Sequence, residues 1–214
     1  MTSPKNYKIK EIFYTLQGEG AQVGQPAIFC RFSGCNLWSG SEKDRNTAAC
    51  RFCDTDFVGM DGTLGGRYTA SELIAIFQQL SPPNTLPIIV FTGGEPLLQL
   101  DDALVQACKI AGLRIAVETN GTQLPPDGID WICLSPKPRS KQVLTRASEL
   151  KLVFPQPETD MAPHNFEHYE VEHFFLQPMD GPHLQQNTAA AIAYCQANPK
   201  WRLSVQVHKL IGLR

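Results

Sequence analysis

The chain has 214 residues, 43% of them hydrophobic and 19% charged, with 19 basic against 21 acidic side chains and a formal charge of −2. That is enough chain to bury a core, in the composition of an ordinary soluble globular protein. The near-neutral balance offers no polyanion-binding surface and argues against a nucleic-acid partner, and no apolar run approaches the ~20 residues a membrane-spanning helix needs.

The N-terminus, Met1-Thr2-Ser3-Pro4-Lys5, carries no apolar signal core, so the expected location is cytoplasmic, where thiols stay reduced. Residues 8–16 alternate loosely and lead into Gln17-Gly18-Glu19-Gly20, a tight loop presenting an amide and a carboxylate, or else an ordinary hairpin turn. Residues 27–32 form a β-branched and aromatic run and are expected to be the first core strand, with Arg31 near its end. A helix is predicted over 69–80, with Thr69 or Ser71 as its cap, and Pro82-Pro83 closes it. Residues 87–92 are a continuous apolar run of the buried parallel type, ending in Thr92-Gly93-Gly94-Glu95-Pro96 before a helix predicted over about 97–111. Further strands are expected at 113–118, 131–135, 150–154 and 172–177, with Pro-rich irregular turns at 155–170. A helix is predicted at 184–197, and 202–209 alternates as a last strand.

Polar residues recur at the ends of these apolar runs: Thr92, Glu118, Ser135 with Lys137, and Gln177. In α/β folds with parallel strands the site lies at the C-terminal strand ends, so this recurrence points to an enzyme. Two glycines after a strand let backbone groups approach a ligand closely. No internal repeat or linker interrupts the pattern, which predicts one α/β domain over 1–214. There are too few strand–helix units for a full eight-fold barrel, so a partial, modified β/α barrel is expected, and its open side suits a homodimer.

Cys35, Cys50 and Cys53 fall within 19 residues, as Cys-x14-Cys-x2-Cys. A structural zinc site takes four Cys or His ligands, and no fourth lies between residues 31 and 100. Three thiolates on a [4Fe-4S] cluster would leave one iron open to a small molecule, which suits reactivity more than electron transfer. Cys30, Cys108, Cys133 and Cys195 stand singly in apolar surroundings, as core residues do. The 36–49 insert is polar and is expected to be a surface excursion. Asp54-Thr55-Asp56 offers hard oxygens, as Mg²⁺ sites and ordinary polar loops both do. His164 and His168 stand four apart without a third ligand.

The cysteine triplet, with Phe52 before its last member and Gly93-Gly94-Glu95-Pro96 downstream, resembles the cluster motif of radical S-adenosylmethionine (SAM) enzymes, whose usual spacing is Cys-x3-Cys-x2-Cys. An expanded first gap occurs in one branch, the 7-carboxy-7-deazaguanine synthases of queuosine biosynthesis. Leu16-Gln17-Gly18-Glu19-Gly20 and the C-terminal His208-Lys209 are similar to segments of that branch. The resemblance implies a partial barrel of radical SAM type, and a [4Fe-4S] cluster on Cys35, Cys50 and Cys53 with SAM on the fourth iron. It implies SAM contacts from Phe52, Asp54, Gly94, Glu118, Ser135-Pro136-Lys137 and Gln177-Pro178-Met179-Asp180. It places Mg²⁺ on Thr55 and a pterin on Leu16, Gln17, Gly18, Glu19, Arg31, Thr92, His208 and Arg214, with Arg31 on the substrate carboxylate and about 203–214 folding over it. The implied reaction is hydrogen abstraction from 6-carboxy-5,6,7,8-tetrahydropterin, ring contraction and loss of ammonia, with an external one-electron donor such as a flavodoxin. Two rivals predict otherwise: a glycyl-radical activase needs a protein-sized opening, and a zinc or redox-sensing protein needs no SAM.

Overall fold

The computed structural model describes residues 5–213. Its frame is one nine-stranded sheet: β1 (Tyr7–Leu16), β2 (Pro26–Phe32), β3 (Gly66–Tyr68), β4 (Ile88–Gly93), β5 (Ile115–Thr119), β6 (Trp131–Leu134), β7 (Arg146–Phe154), β8 (Glu170–Pro178) and β9 (Trp201–Leu203). The spatial order is β3-β1-β2-β4-β5-β6-β7-β8-β9. From β2 to β9 every pairing is parallel, while β1 runs antiparallel to both β2 and β3. The edge strands β3 and β9 do not meet, so the sheet curls without closing, as expected of a partial barrel. The first strand in the sheet's core is therefore β2, but β1 precedes it as a hairpin partner.

Four α-helices accompany the strands: α1 (Ala70–Leu80), α2 (Asp102–Ile110), α3 (Leu184–Ala197) and α4 (Val207–Ile211). α1 starts at a capping box, in which the Thr69 N–H donates to Glu72 at 2.7 Å and the Glu72 N–H donates to Thr69 Oγ1 at 3.4 Å. The helix expected over 97–111 is broken: a 3-10 turn at Pro96–Leu98 comes first, and Asp101 then caps α2 by accepting from the Leu104 N–H. The crossovers β5–β6 and β6–β7 carry no helix, and β7–β8 has only 3-10 turns at Thr159–Met161 and Pro163–Phe166. The strand expected over 202–209 also fails. β9 ends at Leu203, and Val207–Ile211 is helical, closed by Gly212 in the left-handed region.

Strand alternation sorts side chains between two faces. Ile28, Cys30, Phe32, Ile89, Phe91, Ile115 and Val117 point outward against Leu73 and Phe77 of α1 and Leu104, Val105 and Cys108 of α2. Each such buried side chain contributes about 1.5–3 kcal/mol relative to exposure. Ala27, Ile88, Val90 and Ala116 form a smaller inner cluster with Phe29 and Trp131. Continuing the same alternation, Arg31, Thr92 and Glu118 also face inward, nearer the C-terminal ends of β2, β4 and β5. Cys30, Cys108 and Cys133 are buried core residues as expected, and Cys195 packs half-buried against the second core cluster. Among the described residues no helix is long and apolar enough to cross a membrane.

Candidate active site

A cavity of about 360 Å³ opens at the C-terminal rim of the parallel strands. Its wall gathers the polar strand ends singled out in the sequence, Thr92, Glu118, Ser135, Lys137 and Gln177, together with Arg31. The register puts Arg31 beside Thr92 on neighbouring strands, and Val153 beside Gln177. Separate runs of sequence thus meet at one rim because parallel strands begin and end together.

All three cysteines of the triplet line this cavity. Cys35 follows β2, where its sulfur accepts the Leu37 N–H at 3.4 Å. Burial pushes the Cys35 thiol up. The Cys50 thiol hydrogen-bonds Cys53, which is lowered to about 6, while Cys50 itself is pushed up. Lys137 lies close enough to favour the thiolate at both. Among the described residues, no three His, Cys, Asp or Glu side chains are grouped closely enough to hold a single metal ion. A cubane asks for something different: each thiolate binds its own iron, so the sulfurs surround a cluster. Three thiols lining one cavity, two of them in contact, with a lysine nearby, fit a [4Fe-4S] group with one iron left open.

The strand end Gly93-Gly94 is glycine for a spatial reason. A Cβ on Gly94 would lie 2.2 Å from the Gly34 carbonyl oxygen, and one on Gly93 2.4 Å from that of Phe32. Close packing here seats the β4 terminus against the start of the cysteine loop. Glu95, fully buried, ties the same corner together. Its carboxylate accepts from the Leu97 N–H at 2.9 Å, the Thr119 hydroxyl at 2.8 Å and the Asn120 N–H at 2.7 Å. Burial raises its pKa although each of these bonds opposes the shift. This structural role was missed in the sequence, where Glu95 is only part of a motif.

The insert between Cys35 and Cys50 is more than a surface excursion. Trp38 is buried edge-on against Phe57, with ring centroids 5.6 Å apart, and the Arg45 guanidinium lies over the Trp38 ring at 3.9 Å. Arg45 also donates to the carbonyls of Arg51 and Cys53, and Arg139 reaches across to that of Ala48. A single buried Trp gives no periodicity, which is why the polar sequence hid this small core. Phe52, Asp54 and Thr55 line the cavity too. Asp54 accepts from Gln206 and Lys209, and Asp56 pairs with Lys10, so both carboxylates flanking Thr55 already have cationic or amide partners.

The opposite wall is the loop after β1. Leu16, Gln17, Gly18 and Glu19 line the cavity. Gln17 donates to Glu118 Oε1 at 3.0 Å. Glu19 pairs with Lys151 and accepts from Gln206 at 3.0 Å. Burial would raise the Glu19 carboxyl, but the Lys151 ammonium and these hydrogen bonds lower it to about 2. Arg31 donates through Nε to Glu11 Oε1 at 3.0 Å, inside the same cavity. Glu11, Lys151 and Gln206 are cavity residues that the sequence alone did not single out, and Lys209 entered there only as part of the His208-Lys209 pair. For Lys151 the alternation of β7, with Glu149 and Val153 at the neighbouring inward positions, was the available clue.

α4 closes the mouth. The Val207 N–H donates to the Gly18 carbonyl at 3.0 Å, and His208 packs so tightly on Gly18 that a Cβ there would be 2.3 Å from its Nδ1. Lys209 reaches both Asp54 and Asp180. His208 is thus on the cavity wall as expected, but on a helix. Pro178 and Asp180 line the cavity as well. Two expected residues do not: Pro136 is buried away from the cavity, and Met179 has its N–H on Phe154 O and its carbonyl on Asn187. Arg214 lies outside the described residues. His164 sits in a 3-10 turn and His168 packs edge-on against Tyr169, with no metal-holding group around them among the described residues.

An open parallel sheet with three cysteines and a Gly-Gly-Glu-Pro strand end at one rim defines a radical SAM protein. The radical SAM superfamily model matches residues 46–198, and the chain belongs to that superfamily. The matched segment begins inside the insert and leaves out Cys35, as the widened first gap would cause. Relatives named 7-carboxy-7-deazaguanine synthase from Bradyrhizobium diazoefficiens and Bordetella pertussis are 58% and 56% identical over 211 residues, covering 98% and 97% of this chain and 100% and 99% of theirs. The crystal structure of QueE from Escherichia coli matches with a TM-score of 0.72 at 27% identity, over 95% of each chain. Within the superfamily, the chain belongs to the 7-carboxy-7-deazaguanine synthases.

Proposed function

We propose that the chain converts 6-carboxy-5,6,7,8-tetrahydropterin to 7-carboxy-7-deazaguanine with loss of ammonia. The observation that carries this is one cavity lined by both the cysteine triplet and the Leu16–Glu19 loop, in a chain matched end to end by synthases of that name. When bound on Cys35, Cys50 and Cys53, a [4Fe-4S] cluster with SAM at its open iron supplies hydrogen-atom abstraction. Everything else falls to the protein, as positioning and exclusion of water.

Gly94, at the end of β4, offers backbone groups to the amino and carboxylate ends of SAM. Phe52, Asp54, Glu118, Ser135, Lys137, Gln177, Pro178 and Asp180 frame the rest of it, with Pro136 and Met179 holding their segments in place. Gln17 and Glu19 read the pterin ring edge, Leu16 and Gly18 shape the wall beside it, and Thr92 and His208 flank it. The Arg31 guanidinium, braced by Glu11, meets the substrate carboxylate. Thr55 serves as a Mg²⁺ ligand, since Mg²⁺ takes few protein contacts and completes its shell with water and substrate oxygens. The residues from about 203 onward cover the substrate within a single 1–214 domain. A flavodoxin-like donor supplies the electron, and the enzyme acts as a homodimer in the cytoplasm.

Anaerobic reconstitution with iron and sulfide, followed by SAM, dithionite, Mg²⁺ and the pterin, tests the proposal. Mass spectrometry should detect 7-carboxy-7-deazaguanine, and Cys53→Ala should abolish it. SAM cleavage with untouched pterin would keep the chemistry and overturn the substrate.

A further inference from the structure

β7 delivers a cation to the inner face of the sheet that none of the roles above uses. Lys151 lines the cavity with its side chain only 6% exposed, against 13% for Glu19 and 23% for Glu118. Its ammonium pairs with Glu19 and stands 3.5 Å from Glu118 Oε2. One of these carboxylates comes from the loop after β1 and the other from the end of β5. Glu149, two residues back on β7, accepts the Ala21 N–H at 2.8 Å and so holds the far end of the same loop. The groups around the ammonium are therefore Glu19 from the loop, Glu118 from β5, Cys133 from β6 and Glu149 from β7 itself. β8 and the C-terminal segment contribute the neutral amides of Gln177 and Gln206, while His208 packs on Gly18 beside them.

We infer that Lys151 is a positioning residue: its ammonium joins Glu19 to Glu118 and fixes Glu19 as an ionised hydrogen-bond acceptor toward the donor-rich ring edge of the substrate. The inference rests on the function proposed above and adds a residue to it. The physical reason is charge balance in a site shielded from water. Without the ammonium, the Glu19 carboxyl would keep its burial and a neighbouring negative charge, both of which favour its protonated form. A protonated carboxyl donates where an acceptor is needed, and then opposes the N–H groups of an aminopyrimidinone edge. Lys151 prevents that change and leaves the site with surplus negative charge, which suits a ligand edge made of donors. Burial lowers the tendency of Lys151 to stay charged, but the surrounding carboxylates reverse this and hold it well above the ordinary lysine range.

The test compares wild type, Lys151→Met and Lys151→Arg as reconstituted enzymes. Lys151→Met should raise KM for the pterin about 10-fold or more with a smaller change in kcat, because the lost contact is made in ground state and transition state alike. The acidic limb of its kcat/KM profile should move up by about one pH unit or more. Lys151→Arg, which keeps the charge, should restore most of the affinity. Infrared spectra of the resting enzymes give a readout that needs no turnover. A protonated-carboxyl band additional to those of wild type should appear in Lys151→Met at pH values where Glu19 of wild type is ionised, and Lys151→Arg should lack it. An unmoved pH limb with KM near wild type, or no new carboxyl band, overturns the inference. Should Lys151→Met not fold, Lys151→Gln, which keeps a polar side chain without the charge, takes its place in both measurements. If wild type does not turn over the pterin, the functional reading falls, while the infrared titration still decides whether Lys151 keeps Glu19 ionised.

Discussion

Gly94 and Glu19 show how single residues carry the site. Any side chain on Gly94 meets a backbone carbonyl, Gly34 O, which cannot swing aside as a flexible side chain could. Gly94→Ala should therefore displace the start of the cysteine loop, lowering stability by about 1–3 kcal/mol and reducing iron bound per chain after reconstitution. Glu19 gives a pH prediction. Its carboxyl is lowered from the usual 4.5 to about 2, with Lys151 and hydrogen bonds overcoming burial. A depressed acid contributes stability that is fully present above its unfolded value and is lost as pH falls through the folded one. Chemical denaturation between pH 4.5 and 2 should thus show a steep loss in wild type and a shallower one in Glu19→Gln. Equal slopes would mean that Glu19 does not take part in acid unfolding.

The elements divide into those that hold the frame and one that closes it. α1 and α2 bury Leu73, Phe77, Leu104 and Val105 against the sheet and take no part in the cavity wall. α4 buries none of its residues, and is held instead by Val207 N–H on Gly18 O and by Lys209 on Asp54 and Asp180. Partly exposed ion pairs contribute little to global stability, typically under about 1 kcal/mol, but these two join the cysteine loop, the β8 end and the C-terminal helix. Lys209→Ala should leave the melting temperature nearly unchanged and raise KM for the pterin by about 3–10-fold, from a looser closure. A matching loss of stability would instead assign α4 to the frame. Periodicity and a capping box predicted α1, whereas α3 was read from composition, a Pro-free run of Gln, Asn and Ala. Periodicity misled at the C-terminal segment, where Arg202-Leu-Ser-Val-Gln-Val alternates like a strand but has only β8 beside it. Pairing there ends with Leu176 opposite Leu203, and the Ser204 N–H closes the edge on the Leu176 carbonyl. Beyond that point local hydrogen bonds favour a helical turn.

At the scale of the whole molecule, the outer core holds the strands in register, and the register holds the rim. Phe91 of β4 sits between Phe32 and Phe77, with ring centroids 5.7 and 6.0 Å away, on the face opposite the cavity. Phe91→Ala should cost about 3–5 kcal/mol of stability, read from denaturant midpoints, while kcat/KM at a temperature where the fold persists changes little. Most of the strand–helix order, the inward and outward alternation, the three cysteines and the polar strand ends were legible in the sequence, because each is written in neighbouring residues, while β3 and the helical turn of α4 were not. Parallel pairing then carried Thr92, Glu118, Ser135, Lys137 and Gln177 to one rim as a consequence of strand direction alone. What only the tertiary structure decided is which distant side chains meet. Glu19 finds Lys151 across 132 residues, and Lys209 finds Asp54 across 155. Neither pairing leaves a local trace, because a salt bridge depends on the curl of the sheet that brings two strand ends face to face and not on the residues beside either partner. Likewise Trp38 is buried within an insert of polar composition by Phe57 and Arg45, and Pro136 and Met179 stand outside the cavity lining that their motifs suggested they would face.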